Sequence, residues 1–221
     1  MKLALLPLAL LAAATIWVDP LHAQRFSFSQ PDDSDKQEQA ARDARIAGDL
    51  SVPCRADLKN KKIMVVIGER QSNGFVETRQ QNYGEHYRAI NKRLQALGLR
   101  TYTPEEIRRQ IAQAEIDAYF RNDPDAALSA SKRLGASFVL RGLISSQATP
   151  NPLIAVNQVS VNMGFTLTGS NGRVISDTEA SSASYAGSDV QKMALTLVNE
   201  KADEVVATLY ADYCRNAGKS K

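Results

Sequence analysis

Histidine and cysteine are scarce in this chain, which has two of each among its 221 residues. His22 falls in an apolar N-terminal segment, so His86 is the one candidate base that could activate a serine nucleophile. Two cysteines and one histidine are too few for a closed zinc site. We therefore expect a surface histidine at position 86, no catalytic residue, no metal and no cofactor.

Glycine-rich phosphate-binding motifs are also missing. Gly68 and Gly74 frame a loop after an apolar run, but no Gly-Lys-Ser/Thr ends that loop and no GxGxxG occurs in it. The segment 123–125, Asp-Pro-Asp, lacks the further oxygen ligands and the glycine of a calcium loop, which favours a helix cap. The net charge of +3 comes from bases that alternate with acids. Such a surface does not form the basic stripe that binds nucleic acid.

Long hydrophobic runs are limited to the N-terminus. Residues 3–18 are mostly apolar and follow Lys2, and Ala23 lies after a break at Pro20. This is the pattern of a secretory signal peptide, since the run is too short to cross a membrane comfortably and no stop-transfer charges follow it. We predict cleavage after Ala23, at the end of residues 1–23. The product would be a periplasmic protein that does not span the membrane and has no cysteine at the cut site to carry lipid.

The segment after the signal peptide is polar. Residues 24–52 carry few apolar side chains, so they cannot bury enough surface to offset the entropy of ordering them. We predict a disordered or loosely helical spacer there, which would serve as a plain spacer or as a docking arm. One ordered domain would then cover residues 53–215, and a disordered tail would cover residues 216–221.

The two cysteines flank the expected domain. Cys54 precedes the first apolar run, and Cys214 ends the last helical pattern. In an oxidising compartment this pair is expected to form a disulfide that joins the two ends of the fold. Sequence separation does not by itself bring the two Cα atoms within about 7 Å, so two free thiols remain the alternative.

Hydrophobic patterns predict strands that alternate with helices. The apolar run 63–67 is typical of a strand buried on both faces. Later segments show helical spacing or alternation, and they give the order strand, helix, strand, helix, helix, strand, strand, strand, helix. This order predicts an α/β (α+β) fold with a single mixed sheet and helices packed on its faces. The two middle helices are expected over residues 104–120 and 124–134.

The serine-rich segment 169–187 follows the longest alternating strand. Asn171-Gly172 predicts a tight two-residue hairpin turn, because both positions tolerate positive φ angles. Pairing around this turn places large side chains opposite small ones: Leu167 opposite Ser176, Phe165 opposite Thr178, Met163 opposite Ala180, and Val161 opposite Ser182. The small side chains leave room for the last helix, so we interpret the serines as sheet positions and not as nucleophiles.

Two loose patterns carry a family resemblance. One is Ala-x-Lys-x-x-Gly-Ala-x-x-x-Leu-x-Gly over residues 130–142, and the other is the Gly-Arg-Val-Ile hairpin over residues 172–175. In this respect the chain resembles a superfamily of bacterial envelope proteins over about residues 60–213. The superfamily includes the curli secretion channel subunit, the outer-membrane activator of a bifunctional penicillin-binding protein, and flagellar assembly protein T. Gly135 fits a helix stop in this pattern, and Gly142 fits a close-approach or bulge position in a strand.

The chain departs from these relatives in two ways. The channel subunit and the activator are lipoproteins, and this chain lacks the lipid-bearing cysteine. It also lacks the two extra membrane-spanning hairpins of a pore subunit. The resemblance implies a non-catalytic periplasmic adaptor that binds a protein partner, such as a peptidoglycan synthase, a flagellar ring or a secretion channel.

A partner surface is predicted in the long loop after the first strand. Phe75 and Val76 are the expected anchors, with Arg70 and Arg79 at the rim, because mobile loops with apolar groups often carry binding. The alternative is that Phe75 folds back onto the sheet as core. Two other functions stay open: a small-ligand or glycan-binding module that uses the loop 69–82, and a hydrolase that uses His86.

Overall fold

The computed structural model describes residues 33–70, 76–77, 84–121, 123–153, 156–186 and 189–217. They form an α+β fold with one mixed sheet, as predicted. The elements, in chain order, are α1 (Asp33–Leu50), α2 (Arg55–Leu58), β1 (Lys62–Arg70), β2 (Val76–Glu77), α3 (Glu85–Ala96), β3 (Arg100–Thr101), α4 (Pro104–Gln110), α5 (Gln113–Phe120), α6 (Pro124–Leu134), β4 (Phe138–Pro150), β5 (Asn157–Gly169), β6 (Val174–Ala186) and α7 (Val190–Ala217).

The sheet has the strand order β2-β1-β4-β5-β6, and β3 lies beside the start of β1. Strand β1 pairs in parallel with β3 and β4, whereas the pairs β1–β2, β4–β5 and β5–β6 are antiparallel. The long strand β6 is therefore an edge of the sheet.

Helices cover both faces of the sheet, but unequally. On one face α3 and α7 bury a large core that includes Val65, Leu140 and Phe165. On the other face α4, α5 and α6 bury a smaller core that includes Met64 and Val139. Strand β1 is thus buried on both faces, which explains its continuous apolar sequence.

The predicted helix over residues 104–120 is wrong in one respect, because it consists of two helices. Thr103 caps the first, α4, with a capping box that involves Glu106. Ile111 ends α4 in an extended conformation, with φ −127° and ψ 124°. The next buried side chain is Ile116, five residues on, and one continuous helix would turn it about 140° away from Ile111. The break lets both isoleucines reach the same core.

The β5–β6 turn also differs from the prediction. Of its two central residues only Gly172 has a positive φ, at 82°. The Gly172 amide donates to the Gly169 carbonyl at 2.9 Å, and the Gly169 amide donates to the Arg173 carbonyl at 2.9 Å. This is a three-residue loop with a glycine bulge. A register shift between Leu167 and Thr168 compensates for the longer loop, so the predicted strand pairs are confirmed: Leu167–Ser176, Phe165–Thr178, Met163–Ala180 and Val161–Ser182.

Part of the predicted spacer 24–52 is a regular helix, α1, where disorder was the first expectation. It lies along α7, where Arg45 Nη2 is 3.2 Å from Glu204 Oε1 and Thr208 Oγ1 is 3.5 Å from Asp49 Oδ2. No residue of α1 is buried. The helix contacts α7 through polar side chains and buries none of its own residues, which is compatible with the low apolar content of this segment. The domain limits remain a prediction.

A disulfide joins Cys54 to Cys214, whose Cα atoms are 5.6 Å apart. Beside it, the Tyr210 hydroxyl donates to the Val52 carbonyl, and the Cys54 amide donates to the same hydroxyl at 3.4 Å. These bonds attach the segment before β1 to the last turns of α7. Helix α7 itself continues to Ala217, slightly beyond the expected end of the domain.

Candidate functional site

The predicted partner loop lies mostly outside the described residues. Arg70 is the exposed last residue of β1, and the backbone of Val76 pairs with it in β2. Phe75 and Arg79 fall outside the described ranges. The grouping of these four residues into one surface therefore remains a prediction.

The same end of the sheet projects well beyond β1. The last β1–β4 pair is Arg70 with Ser145, but β4 continues to Pro150, which pairs with Asn157 of β5. Asn157 in turn pairs with Ala186, the last residue of β6. At about 3.3 Å per residue, this extension reaches about 17 Å past β1. We call residues 146–153, 156–161 and 182–186 the projecting end.

Two large apolar side chains of the projecting end are exposed. Leu153, in the β4–β5 connection, has 89% of its surface accessible, and Tyr185, near the end of β6, has 58%. Tyr185 pairs with Gln158, on the sheet face opposite the buried Val159. Exposed aromatic and aliphatic groups of this size are typical anchors of protein interfaces.

The two halves of the edge strand β6 differ in charge. Asp177 and Glu179, in its first half, are exposed acids on the face away from α7. Charged residues of this kind protect a sheet edge from pairing with another strand. From residue 181 to residue 186 the strand reads Ser-Ser-Ala-Ser-Tyr-Ala and has no charge. The unprotected half of the edge thus coincides with the projecting end.

His86 is not the surface residue that the sequence suggests. Its side chain is 18% exposed, and Nδ1 lies 3.0 Å from Glu69 Oε1. The hydrogen bond from His86 lowers the pKa of Glu69, partial burial opposes this change, and the imidazole charge adds to it. The hydrogen bonds found among the described residues give His86 no hydroxyl or thiol partner. The pair therefore connects the end of β1 to the first turn of α3.

The described residues contain no group of three or more His, Cys, Asp and Glu side chains placed to hold a metal ion. None of the helices in the described ranges combines the length and the apolar character needed to cross a membrane.

The chain was compared with known proteins. No family model and no curated protein matches it. Solved structures similar to it include the hypothetical protein CT253 from Chlamydia trachomatis, at 14% identity and a TM-score of 0.47, over 68% of this chain and 98% of that one. Another is the PelC dodecamer from Paraburkholderia phytofirmans, at 18% identity and a TM-score of 0.41, over 72% of this chain and 91% of that one. A third is the LpoB C-terminal domain from Salmonella enterica, at 11% identity and a TM-score of 0.36, over 63% of this chain and 93% of that one.

These matches have TM-scores below 0.5 and sequence identities below 20%. They concern the general fold, and they do not assign the chain to one family. Because one fold hosts many functions, the activity has to be argued from the residues of this chain.

Proposed function

We propose that this protein is a non-catalytic periplasmic adaptor that binds a protein partner through its projecting end. The observation that carries the proposal is the exposure of Leu153 and Tyr185 at 89% and 58% on an extension that no described helix covers on its outer face. A monomer gains nothing in stability from exposed apolar groups of this size, whereas a partner would remove them from water.

Strand pairing is the expected mode of binding. The uncharged half of β6 lies at a sheet edge that no other described strand pairs with, and an extended partner segment can add to such an edge as one more strand. Tyr185 would supply an apolar contact beside these hydrogen bonds. Arg70 and the loop after β1 leave the sheet at the same end, so the predicted surface Arg70, Phe75, Val76 and Arg79 would extend this site.

Capture of a protein partner from an envelope extract tests the proposal when the native protein is compared with a variant that lacks these two side chains. The exported protein should retain a stoichiometric protein partner, and the variant Leu153→Ser/Tyr185→Ser should lose it. Val174→Ser is the matched control, since Val174 is 55% exposed on the same strand but at the other end of the sheet. Equal loss in both variants, or equal retention, would refute the assignment. Thermal unfolding of each variant would show that the fold is intact.

A further inference from the structure

A cleft of about 750 Å³ lies at the end of the sheet opposite the projecting end. Its walls are the residues just before β1 and β4, the β5–β6 turn, and the C-terminal ends of α6 and α7. This volume is within the usual range of pockets that bind small molecules, about 300–1,000 Å³. The described residues that line it include none of the predicted binding residues.

Three basic side chains line this cleft, namely Lys61, Lys132 and Arg173. All three are exposed, and no ion pair found among the described residues involves them. No aspartate or glutamate is among the described lining residues. Cations collected around a concave surface without acids produce a positive potential that attracts anions.

Hydroxyl groups add neutral donors beside the cations. The Ser170 amide donates to the Ser137 carbonyl at 3.1 Å, which holds the β5–β6 turn against the start of β4. Neither serine hydroxyl bonds to another described side chain or backbone group. Asn171 Oδ1 accepts from the Arg173 amide at 3.0 Å, which leaves the Asn171 amide hydrogens available. Such donors complement the lone pairs of phosphate or carboxylate oxygens.

The carbonyl groups at the end of α6 do not offer a competing site for cations. The Ser131 carbonyl accepts from the Ala136 amide at 2.9 Å, and the Lys132 carbonyl accepts from the Gly135 amide at 3.1 Å. The Leu134 carbonyl accepts from the Tyr102 hydroxyl at 2.5 Å. Three of the four carbonyls that this helix end would leave unpaired are therefore occupied by protein donors.

The cleft also has an apolar wall. Phe138 and Tyr213 both line it, and their rings pack edge to face with centroids 5.2 Å apart. The adjacent disulfide at Cys214 and the bond from Asn216 Nδ2 to the Ile175 carbonyl, 2.9 Å long, hold this end of α7 in place. A ligand could thus place an anionic group near the cations and an uncharged body against the aromatic wall.

We propose that this cleft binds a small oxyanion, a phosphate or carboxylate carried on a molecule of about the size of a sugar. The site is independent of the partner surface, because the two lie at opposite ends of the sheet. Phosphate and carboxylate share the required chemistry, and the choice of probes separates them.

Titration calorimetry on the disulfide-bonded exported protein tests this proposal with four probes: inorganic phosphate, glucose 6-phosphate, glucuronate and glucose. We expect at least one anionic sugar to bind, more weakly as salt is added, and neutral glucose not to bind. The variant Lys132→Gln/Arg173→Gln should weaken this binding at least ~10-fold, through the loss of two charges.

Lys92→Gln/Lys192→Gln is the matched control, because it removes two positive charges at exposed positions outside the cleft. It should keep the affinity within about twofold. Failure of all three anions to bind at millimolar concentration would overturn the proposal. So would equal binding of glucose, or equal weakening in the two double variants.

Discussion

The ring of Phe165 occupies the space in which residue 142 would carry a side chain. The two residues are paired across β4 and β5. A Cβ atom on Gly142 would lie 2.8 Å from Phe165 Cδ1, closer still to Cε1, and 3.2 Å from Ile67 Cγ1. Phe165 is 1% exposed, so its ring lies fully inside the core. The close-approach role predicted for Gly142 is confirmed.

Gly142→Ala should therefore destabilise the protein. Overpacking of a filled core costs about 1–3 kcal/mol in the free energy of unfolding, which urea titration would measure. Gly164→Ala is the matched control in the neighbouring strand, because a Cβ there would meet nothing within 4 Å. It should leave stability unchanged or raise it slightly. Equal effects of the two substitutions on the free energy of unfolding would show that the Phe165 ring can move to make room.

The disulfide should contribute strongly to stability. Cys54 and Cys214 close a loop with a sequence separation of 160, for which the chain-entropy model gives ~5 kcal/mol as an upper figure. Reduction should lower the melting temperature of the native protein. It should leave the melting temperature of the double variant Cys54→Ala/Cys214→Ala unchanged. Two free thiols in unreduced exported protein would contradict this prediction.

Arg93 should stabilise the contact between α3 and α7. Its guanidinium forms two bonds to Asp203, Nε to Oδ1 at 2.7 Å and Nη2 to Oδ2 at 2.8 Å, and it also donates to the Asn199 carbonyl at 3.1 Å. Asp203 is 55% exposed, so solvent screens the pair and Arg93→Ala should cost only ~1 kcal/mol. Arg93→Lys should not restore the loss, because lysine cannot form the planar double contact. Full rescue by lysine would mean that charge alone matters.

Glu69 should make stability depend on pH in the acid range. Its hydrogen bond with His86 holds its pKa below 4.5 in the folded protein. The folded state therefore binds this proton less readily than the unfolded state, so the contribution is present above pH 4.5 and is lost as the pH falls through the folded pKa. The difference in unfolding free energy between wild type and Glu69→Gln should thus be largest at neutral pH and shrink in acid. A difference that stays constant from neutral to acid pH would contradict this role of Glu69.

Local sequence signals predicted much of the fold. Alternation and the hairpin signal gave the β5–β6 pairing, since side-chain period and turn position together define a register. The caps of α6 were also predicted from the sequence. Asp123 accepts from two amides of α6, and Gly135 ends that helix with a φ of 64°. The sequence could not separate a two-residue turn from a three-residue one, because a single bulge converts one into the other.

The candidate sites were harder to predict. Leu153 and Tyr185 look like ordinary core residues in the sequence, and their exposure follows from how far β4, β5 and β6 extend past β1. The basic cleft joins Lys61, Lys132 and Arg173, which are far apart in the chain and meet only through the order of strands. Sites of this kind depend on tertiary placement, which local patterns do not report.

Site-specific photo-crosslinking in living cells tests the adaptor account most directly. A photo-reactive amino acid would replace Leu153 or Tyr185 in the projecting end, or Val174 at the opposite end of β6, all three of which are exposed. The account predicts the same protein adduct from positions 153 and 185, and none from position 174. Absence of a protein adduct at both 153 and 185 in correctly exported protein, or an equal adduct at 174, would contradict it.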